Sequence, residues 1–341
     1  MKKILIAILL ILLLAAVAAG YYVRKELHTP YLGSSSEILF EIPHGLRARA
    51  IVGLLEDRKV IKNQYVALSY VVLAGLRNKL QAGEYLFDHP MTPVEVVTRL
   101  ANGNVYLHKF TVPEGLTVNE TAVKWEEQGF GSAESFKKAA AASVNLIQDL
   151  DPKAESLEGY LFPETYSFPA HATASQAVEA MVGRFRSVIQ KLEKEVPEDH
   201  WPLDLRDTVI LASIVESEAA KEEERTLVAS VYLNRIGHRI LLQCDPTVIY
   251  ALERADQYKG RLTLADLRFP SPYNTYVNPG LPPGPIMNPG YPSLRAAIQP
   301  AATNYLYFVR TVEGRHTFSD NLAAHNRAVA AYRLLQHRPR K

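Results

Sequence analysis

The sequence has 341 residues, of which 48% are hydrophobic and 22% charged, and a formal net charge of +2. That length holds two folded domains or one large one with an appendage, and the composition argues against wholesale disorder. The small charge, with no basic run interleaved with aromatics, sets nucleic acid aside as a partner. The single cysteine, Cys244, excludes an intramolecular disulfide and a CxxC metal cluster.

In chain order, Met1-Lys2-Lys3 precedes an apolar run over residues 4–23, about the 20 residues a helix needs to span a bilayer. Ala16-Val17-Ala18 resembles a signal-peptide cleavage site, but the apolar region of such peptides is shorter, about 7–15 residues. An uncleaved anchor over residues 1–23 is therefore expected. Lys2 and Lys3 before it and Arg24 and Lys25 after it barely discriminate its orientation. Residues 24–36 read as a polar linker, and residues 37–154 as a small α+β module. In that module 38–42 and 83–87 are strand-like, and helices are expected at about 48–55 and 64–76. Thr92 with Glu95 forms a capping box at the start of a further helix. A strand, a Pro-x-Gly turn and a helix occur twice, over 40–55 and 110–125.

Residues 155–341 form the second expected domain, mainly helical with short β-hairpins, so the fold class is α+β. Helices are expected over 174–192, 207–224 and 225–236, and another starts at Pro246. Thr263 with Asp266 caps a short one. Residues 268–292 carry too many prolines and glycines for regular structure, and a loop of that length inside a domain is usually functional. A hairpin over 306–318, turning at Glu313-Gly314, and a helix over 321–335 close the chain.

The segment 209–220, Val-Ile-Leu-Ala-Ser-Ile-Val-Glu-Ser-Glu-Ala-Ala, carries the sharpest chemical signal. Leu211, Ile214 and Val215 make an apolar stripe that Glu218 continues at i+7 and i+4. A carboxyl there is costly to bury ionised, and desolvation favours the protonated form a general acid needs. Glu216 falls on a different face. The pattern alone leaves open that the helix ends near Ser217 and that Glu218 enters solvent. Glycoside chemistry usually uses two carboxylates, and Glu164 and Asp245 are candidates for the second. Each also has a bland role: Glu164 can hold a turn after Pro163, and Asp245 suits an N-cap before Pro246. Tyr250, Tyr258, Tyr273, Tyr276 and Tyr291 group near the proline-rich loop, where aromatic faces stack on sugar rings as readily as they fill a core. His316 and His325 flank the last hairpin and helix, and surface roles are expected for them. No G-x-S-x-G, H-E-x-x-H or phosphate-binding glycine loop occurs, so neither a metal nor a cofactor is expected.

Residues 212–218, Ala-Ser-Ile-Val-Glu-Ser-Glu, resemble the active-site helix of the YceG-like, or MltG-type, endolytic murein transglycosylases. Further matches keep the order of that family: Glu158-Gly159-Tyr160-Leu161-Phe162-Pro163-Glu164, Glu224-Arg225, Asn234-Arg235, Leu242-Gln243, Asp245-Pro246-Thr247 with Tyr250, Tyr273-Asn274-Thr275-Tyr276, Gly280-Leu281-Pro282-Pro283-Gly284, and His316-Thr317-Phe318. The family often has Lys between its two glutamates, where this chain has Ser217. The resemblance implies a LysM-like module before the catalytic domain, and a single-span protein of the inner membrane facing the periplasm. It also implies cleavage of the β-1,4 bond between N-acetylmuramic acid and N-acetylglucosamine in nascent peptidoglycan strands, leaving 1,6-anhydro ends. Glu218 is the catalytic residue it carries over. Glu164, Gln243, Asp245, Thr247, Tyr250, Tyr273, Asn274, Tyr276 and His316 are expected at the substrate, with penicillin-binding-protein synthases as partners. A hydrolytic muramidase and a non-catalytic peptidoglycan-binding scaffold are the alternatives.

Overall fold

The computed structural model describes residues 2–33, 36–219, 221–311 and 314–336. It is a helix-rich α+β structure with three two-stranded sheets among these residues. Helix α1 (Lys2–Leu27) has 26 residues and buries none of them. At 1.5 Å per residue it is about 39 Å long, enough to cross a bilayer core of about 30 Å. It runs four residues past the expected span, so Arg24 and Lys25 lie on the helix. Ser34 and Ser35 of the expected linker and Glu313 of the expected hairpin turn lie outside the described residues.

The chain divides into two units, residues 1–108 with 167–171, and residues 109–166 with 172–341. In the first, β1 (Ile38–Ile42) pairs antiparallel with β2 (Gly83–Phe87), Ile38 opposite Phe87 and Ile42 opposite Gly83. Alternation turns Phe40 and Ile42 inward, where they meet Tyr85 and Phe87. Helices α2 (Ala48–Asp57), α3 (Gln64–Leu73) and α4 (Pro93–Ala101) cover that face with Ile51, Val52, Leu55, Val71, Val96 and Leu100. The Thr92–Glu95 capping box is present in both directions. Helix α3, expected to reach Leu76, stops at Leu73. Gly75 takes φ +67°, and the Leu76 N–H folds back to the Val71 carbonyl at 2.9 Å, a left-handed helix stop.

The second unit contains β3 (His108–Thr111) from residue 109, α5 (Val118–Glu127), α6 (Ala133–Ala142), β4 (Thr165–Phe168) up to residue 166, α7 (Ala174–Glu195), α8 (Leu205–Glu218), α9 (Arg225–Gly237), α10 (Asp245–Arg254), α11 (Tyr291–Ile298), β5 (Tyr307–Arg310), β6 (His316–Ser319) and α12 (Leu322–Gln336). β3 pairs with β4, and β5 with β6 antiparallel. The twice-occurring strand–turn–helix theme is present at β1–α2 and at β3–α5. Gly45 (φ +83°) and Gly115 (φ +80°) occupy the same left-handed position in its two turns, which only glycine takes without strain.

The expected boundary at residue 154 differs from this division, because residues 109–154 bond to later segments. The Val118 N–H donates to Glu158 Oε1 at 3.0 Å. Buried Asn288 accepts from the Gly159 and Leu161 N–H groups and donates to the Leu116 carbonyl at 2.8 Å. Phe110 packs edge-on to Trp125 with centroids 5.1 Å apart, and Trp125 stacks on Phe130 at 4.8 Å. Helix α8 departs from the one-stripe expectation: residues 208–215 are all buried, so it is a central helix packed by α9 and α11. The helix expected over 207–224 ends at Glu218, and a separate turn covers Glu222–Glu224.

Replacing fully buried Phe110 with Ala is predicted to destabilise the second unit by about 3–5 kcal/mol. Urea unfolding followed by the fluorescence of Trp125 and Trp201, the two tryptophans of the chain, measures this. A loss under about 1 kcal/mol would remove the aromatic cluster as the core of this region.

Candidate active site

Glu218 is the last residue of α8 and stands at a cavity of about 300 Å³, with Tyr232, Arg235, Gln243, Asp245, Tyr276, Phe308 and His325 also in its lining. It therefore neither sits sealed in the core nor enters open solvent. Its Oε1 accepts from Tyr232 Oη and from Cys244 Sγ, each at 3.4 Å. Burial pushes the Glu218 carboxyl above its ordinary range. The Asp245 charge adds to that rise, while the Cys244 and Tyr232 donors and the His316 charge oppose it. Burial also holds Tyr232 and Cys244 well above their usual values, so both are neutral donors.

Glu216, two residues earlier, has the opposite environment. Arg225 lies 3.0 Å from its Oε1, and the Gly290 N–H donates to its Oε2 at 3.0 Å. Arg225 also donates to Ser293 Oγ at 2.9 Å. Among the described residues Glu218 makes no ion pair, so this is the carboxyl left free to exchange a proton.

The segment around Cys244 is fixed by a threonine pair. The Cys244 N–H donates to Thr275 Oγ1, Thr247 Oγ1 donates to the Cys244 carbonyl at 2.7 Å, and the two hydroxyls lie 2.9 Å apart. Gln243 is held at φ +51°, a conformation side chains other than glycine rarely adopt. Asp245 is not the N-cap expected of it. Cys244 occupies that position without a side-chain cap, and the Asp245 carboxylate accepts from Tyr276 Oη at 2.5 Å. Arg235, also in the lining, donates to the carbonyls of Leu306, Leu241 and Leu242, joining α9 to the residue before β5. His325 stacks on Tyr307 with centroids 5.1 Å apart, and its buried Nδ1 has no hydrogen-bond partner among the described residues.

Of the sequence-predicted residues, the cavity brings together Glu218, Gln243, Asp245 and Tyr276. Thr247 is buried behind Cys244, and Asn274 shapes the loop by donating to the Leu267 and Phe269 carbonyls. His316 is buried rather than on the surface: its N–H donates to Glu224 Oε1 at 2.9 Å and its Nδ1 lies 2.8 Å from Oε2. Glu164 is ion-paired with Arg184 at 2.5 Å, away from the cavity. Tyr250 donates to Glu158 at 3.2 Å, and Tyr273 lines a second cavity of about 830 Å³. Tyr232, Arg235 and Phe308 were not anticipated as cavity residues, nor was Cys244 as a contact of Glu218. Cys244 carried a signal, standing between two residues that were named.

Two predictions follow from these environments. Tyr232→Phe removes a donor that favours the Glu218 carboxylate, so the Glu218 pKa is predicted to rise further. Carboxyl-carbon NMR titration reads it, and an unchanged or lower value would contradict the hydrogen bond. Burial also pushes Glu158 from 4.5 up to about 7. The folded state then holds this proton more tightly than the unfolded chain, so the stabilisation is complete below pH 4.5 and lost as pH rises through about 7. At about 1.4 kcal/mol per pKa unit that is about 3 kcal/mol. Glu158→Gln should flatten this slope in urea unfolding between pH 4.5 and 7.5, and a slope equal to that of the wild type would refute the assignment.

The profile of the YceG-like family matches residues 40–331. A Bacillus subtilis protein named endolytic murein transglycosylase is 31% identical over 329 residues, covering 92% of this chain and 90% of the relative. A Streptococcus pneumoniae protein of the same name is 28% identical, covering 97% of this chain and 65% of the relative. The crystal structure of a YceG-like protein from Listeria monocytogenes superposes with a TM-score of 0.58 at 32% identity, covering 86% of this chain and all of the other. With the Glu218 helix and the matched segments in one unit, the chain belongs to the YceG-like family.

Proposed function

We propose that this chain is an endolytic murein transglycosylase in which Glu218 acts alone, first as acid and then as base. One observation carries the reading: in the cavity that holds Glu218, its carboxyl is desolvated, is contacted by two neutral donors and makes no ion pair among the described residues. Such a carboxyl is protonated nearer neutral pH than a free glutamate. It gives its proton to the glycosidic oxygen as the bond from that oxygen to the muramic C1 breaks. The carboxylate so formed takes the proton of the muramic C6 hydroxyl, whose oxygen bonds to C1. The product is a 1,6-anhydro end, Glu218 is protonated again, and no water is consumed. Because the nucleophile belongs to the sugar, positioning replaces a second carboxylate.

Asp245 lines the same cavity, and this favours the second reading, a hydrolytic muramidase in which Asp245 activates water. Its bond to Tyr276 supports a holding role instead. In the remaining parts of the proposal, α1 anchors the chain in the inner membrane with the rest in the periplasm. The β1–α2–α3–β2 region serves as a LysM-like module, and penicillin-binding-protein synthases supply the nascent strands.

Glu218→Gln is predicted to lower cleavage of purified glycan strands by about 10²–10⁴-fold. Loss of the proton as pH rises through the elevated Glu218 pKa gives the alkaline limb of the rate profile. Mass spectrometry of the products separates the readings: anhydro ends support the transglycosylase, and reducing ends from the wild type would overturn it.

A further inference from the structure

A groove of about 580 Å³ lies in the first unit between the β1–α2 turn and the end of α3. Leu46, Leu68, Val72 and Leu80 line it with apolar surface, and Arg47, Arg49 and Arg77 also border it. Among the described residues none of the three arginines makes an ion pair or a side-chain hydrogen bond, and no carboxylate lines the groove. Leu46 and Val72 remain 39% and 38% exposed, so the chain itself does not cover this surface. Three guanidinium groups without counter-charge, beside the uncovered Leu46 and Val72, suit one kind of ligand: a multiply charged anion joined to an apolar chain. Guanidinium binds phosphate oxygens in pairs, and three of them exceed what the single charge of a phosphodiester neutralises.

We propose that this groove binds a polyprenyl pyrophosphate, the lipid-carrier end of a glycan strand still held at the membrane. The source of the ligand rests on the murein reading above, and its place at the membrane on α1. Lys62, two residues before α3, lies 3.5 Å from Glu26 near the end of α1, so the unit carrying the groove is tied to the point where that helix ends. Both phosphates then face the three arginines while the first isoprene units cover Leu46, Val72 and Leu80. The chain would thereby select strands whose carrier end has not been released.

The test is equilibrium binding of radiolabelled farnesyl pyrophosphate to the full chain in phosphatidylcholine nanodiscs, with empty discs subtracted. Saturable binding is expected, at least tenfold tighter than that of farnesol or inorganic pyrophosphate, and at least tenfold weaker in Arg47→Gln/Arg77→Gln. Both side chains are exposed, so the double variant keeps its fold, which circular dichroism verifies. No saturable binding, or equal binding by the double variant, overturns the proposal. So does loss of the wild-type advantage when phosphatidylglycerol replaces a fraction of the disc lipid, which would assign the groove to the lipid surface. Cleavage of soluble strands lacking a pyrophosphate end is scored separately and should be equal in the two proteins. Its absence in the wild type would defeat the transglycosylase reading while leaving the binding result intact.

Discussion

Helix α8 is enclosed over eight consecutive residues, 208–215, and polar groups on such a helix need partners within reach. Ser213 meets this by donating to the Ile210 carbonyl at 2.7 Å and accepting from the Ile286 N–H at 3.1 Å, which brings the proline-rich loop against the helix. At its C-terminal end α8 reaches the cavity of about 300 Å³, and there Glu218 stands. The placement of the acid thus depends on the burial of the helix that carries it. Loosening that packing would move Glu218 relative to Cys244, Tyr232 and Asp245 together.

The two glutamates are neighbours in sequence and opposites in electrostatics. Glu216 is held by a guanidinium and a backbone N–H, and Arg225 extends the bond to Ser293 on α11. Removing one partner of a buried pair of this kind costs about 3–5 kcal/mol, because the other charge is left uncompensated. Glu216 therefore fastens the end of α8 against α9 and α11. Since Arg225 is committed to Glu216, it does not neutralise Glu218. Burial without such a partner is what raises the Glu218 carboxyl.

Local chemistry was legible in the sequence. The Thr92–Glu95 box, the strands at 38–42 and 83–87, and the two Pro-x-Gly turns are where adjacent residues alone placed them. Glu218 was favoured over Glu216 from helical spacing, although the spacing implied one stripe where the structure buries α8 on all sides. What could not be read are bonds across long sequence separations. Asp245 has the side chain and the following proline of an N-cap, yet Tyr276, 31 residues later, takes its carboxylate. His316 has the look of a surface histidine until Glu224, 92 residues earlier, closes on it. The division near residue 108 is invisible for the same reason, since Asn288 draws residues 115–116 and 159–161 into the second unit.

A single carboxyl that must serve as acid and then base is constrained in both charge states. A guanidinium at hydrogen-bond distance, such as Glu216 has in Arg225, would favour the carboxylate of Glu218 throughout. A purely apolar pocket would hold it protonated and oppose the return step. Tyr232 and Cys244 lie between these limits: both are buried neutral donors, the Tyr232 contact is long at 3.4 Å, and a thiol is a weak donor. They favour the carboxylate without binding it as an ion pair, and desolvation with the nearby Asp245 charge favours the acid. Both donors approach the same oxygen, Oε1, so in the proposed reaction Oε2 is the atom left to exchange the proton. Asp245, the second carboxylate of the cavity, in turn accepts from Tyr276 Oη.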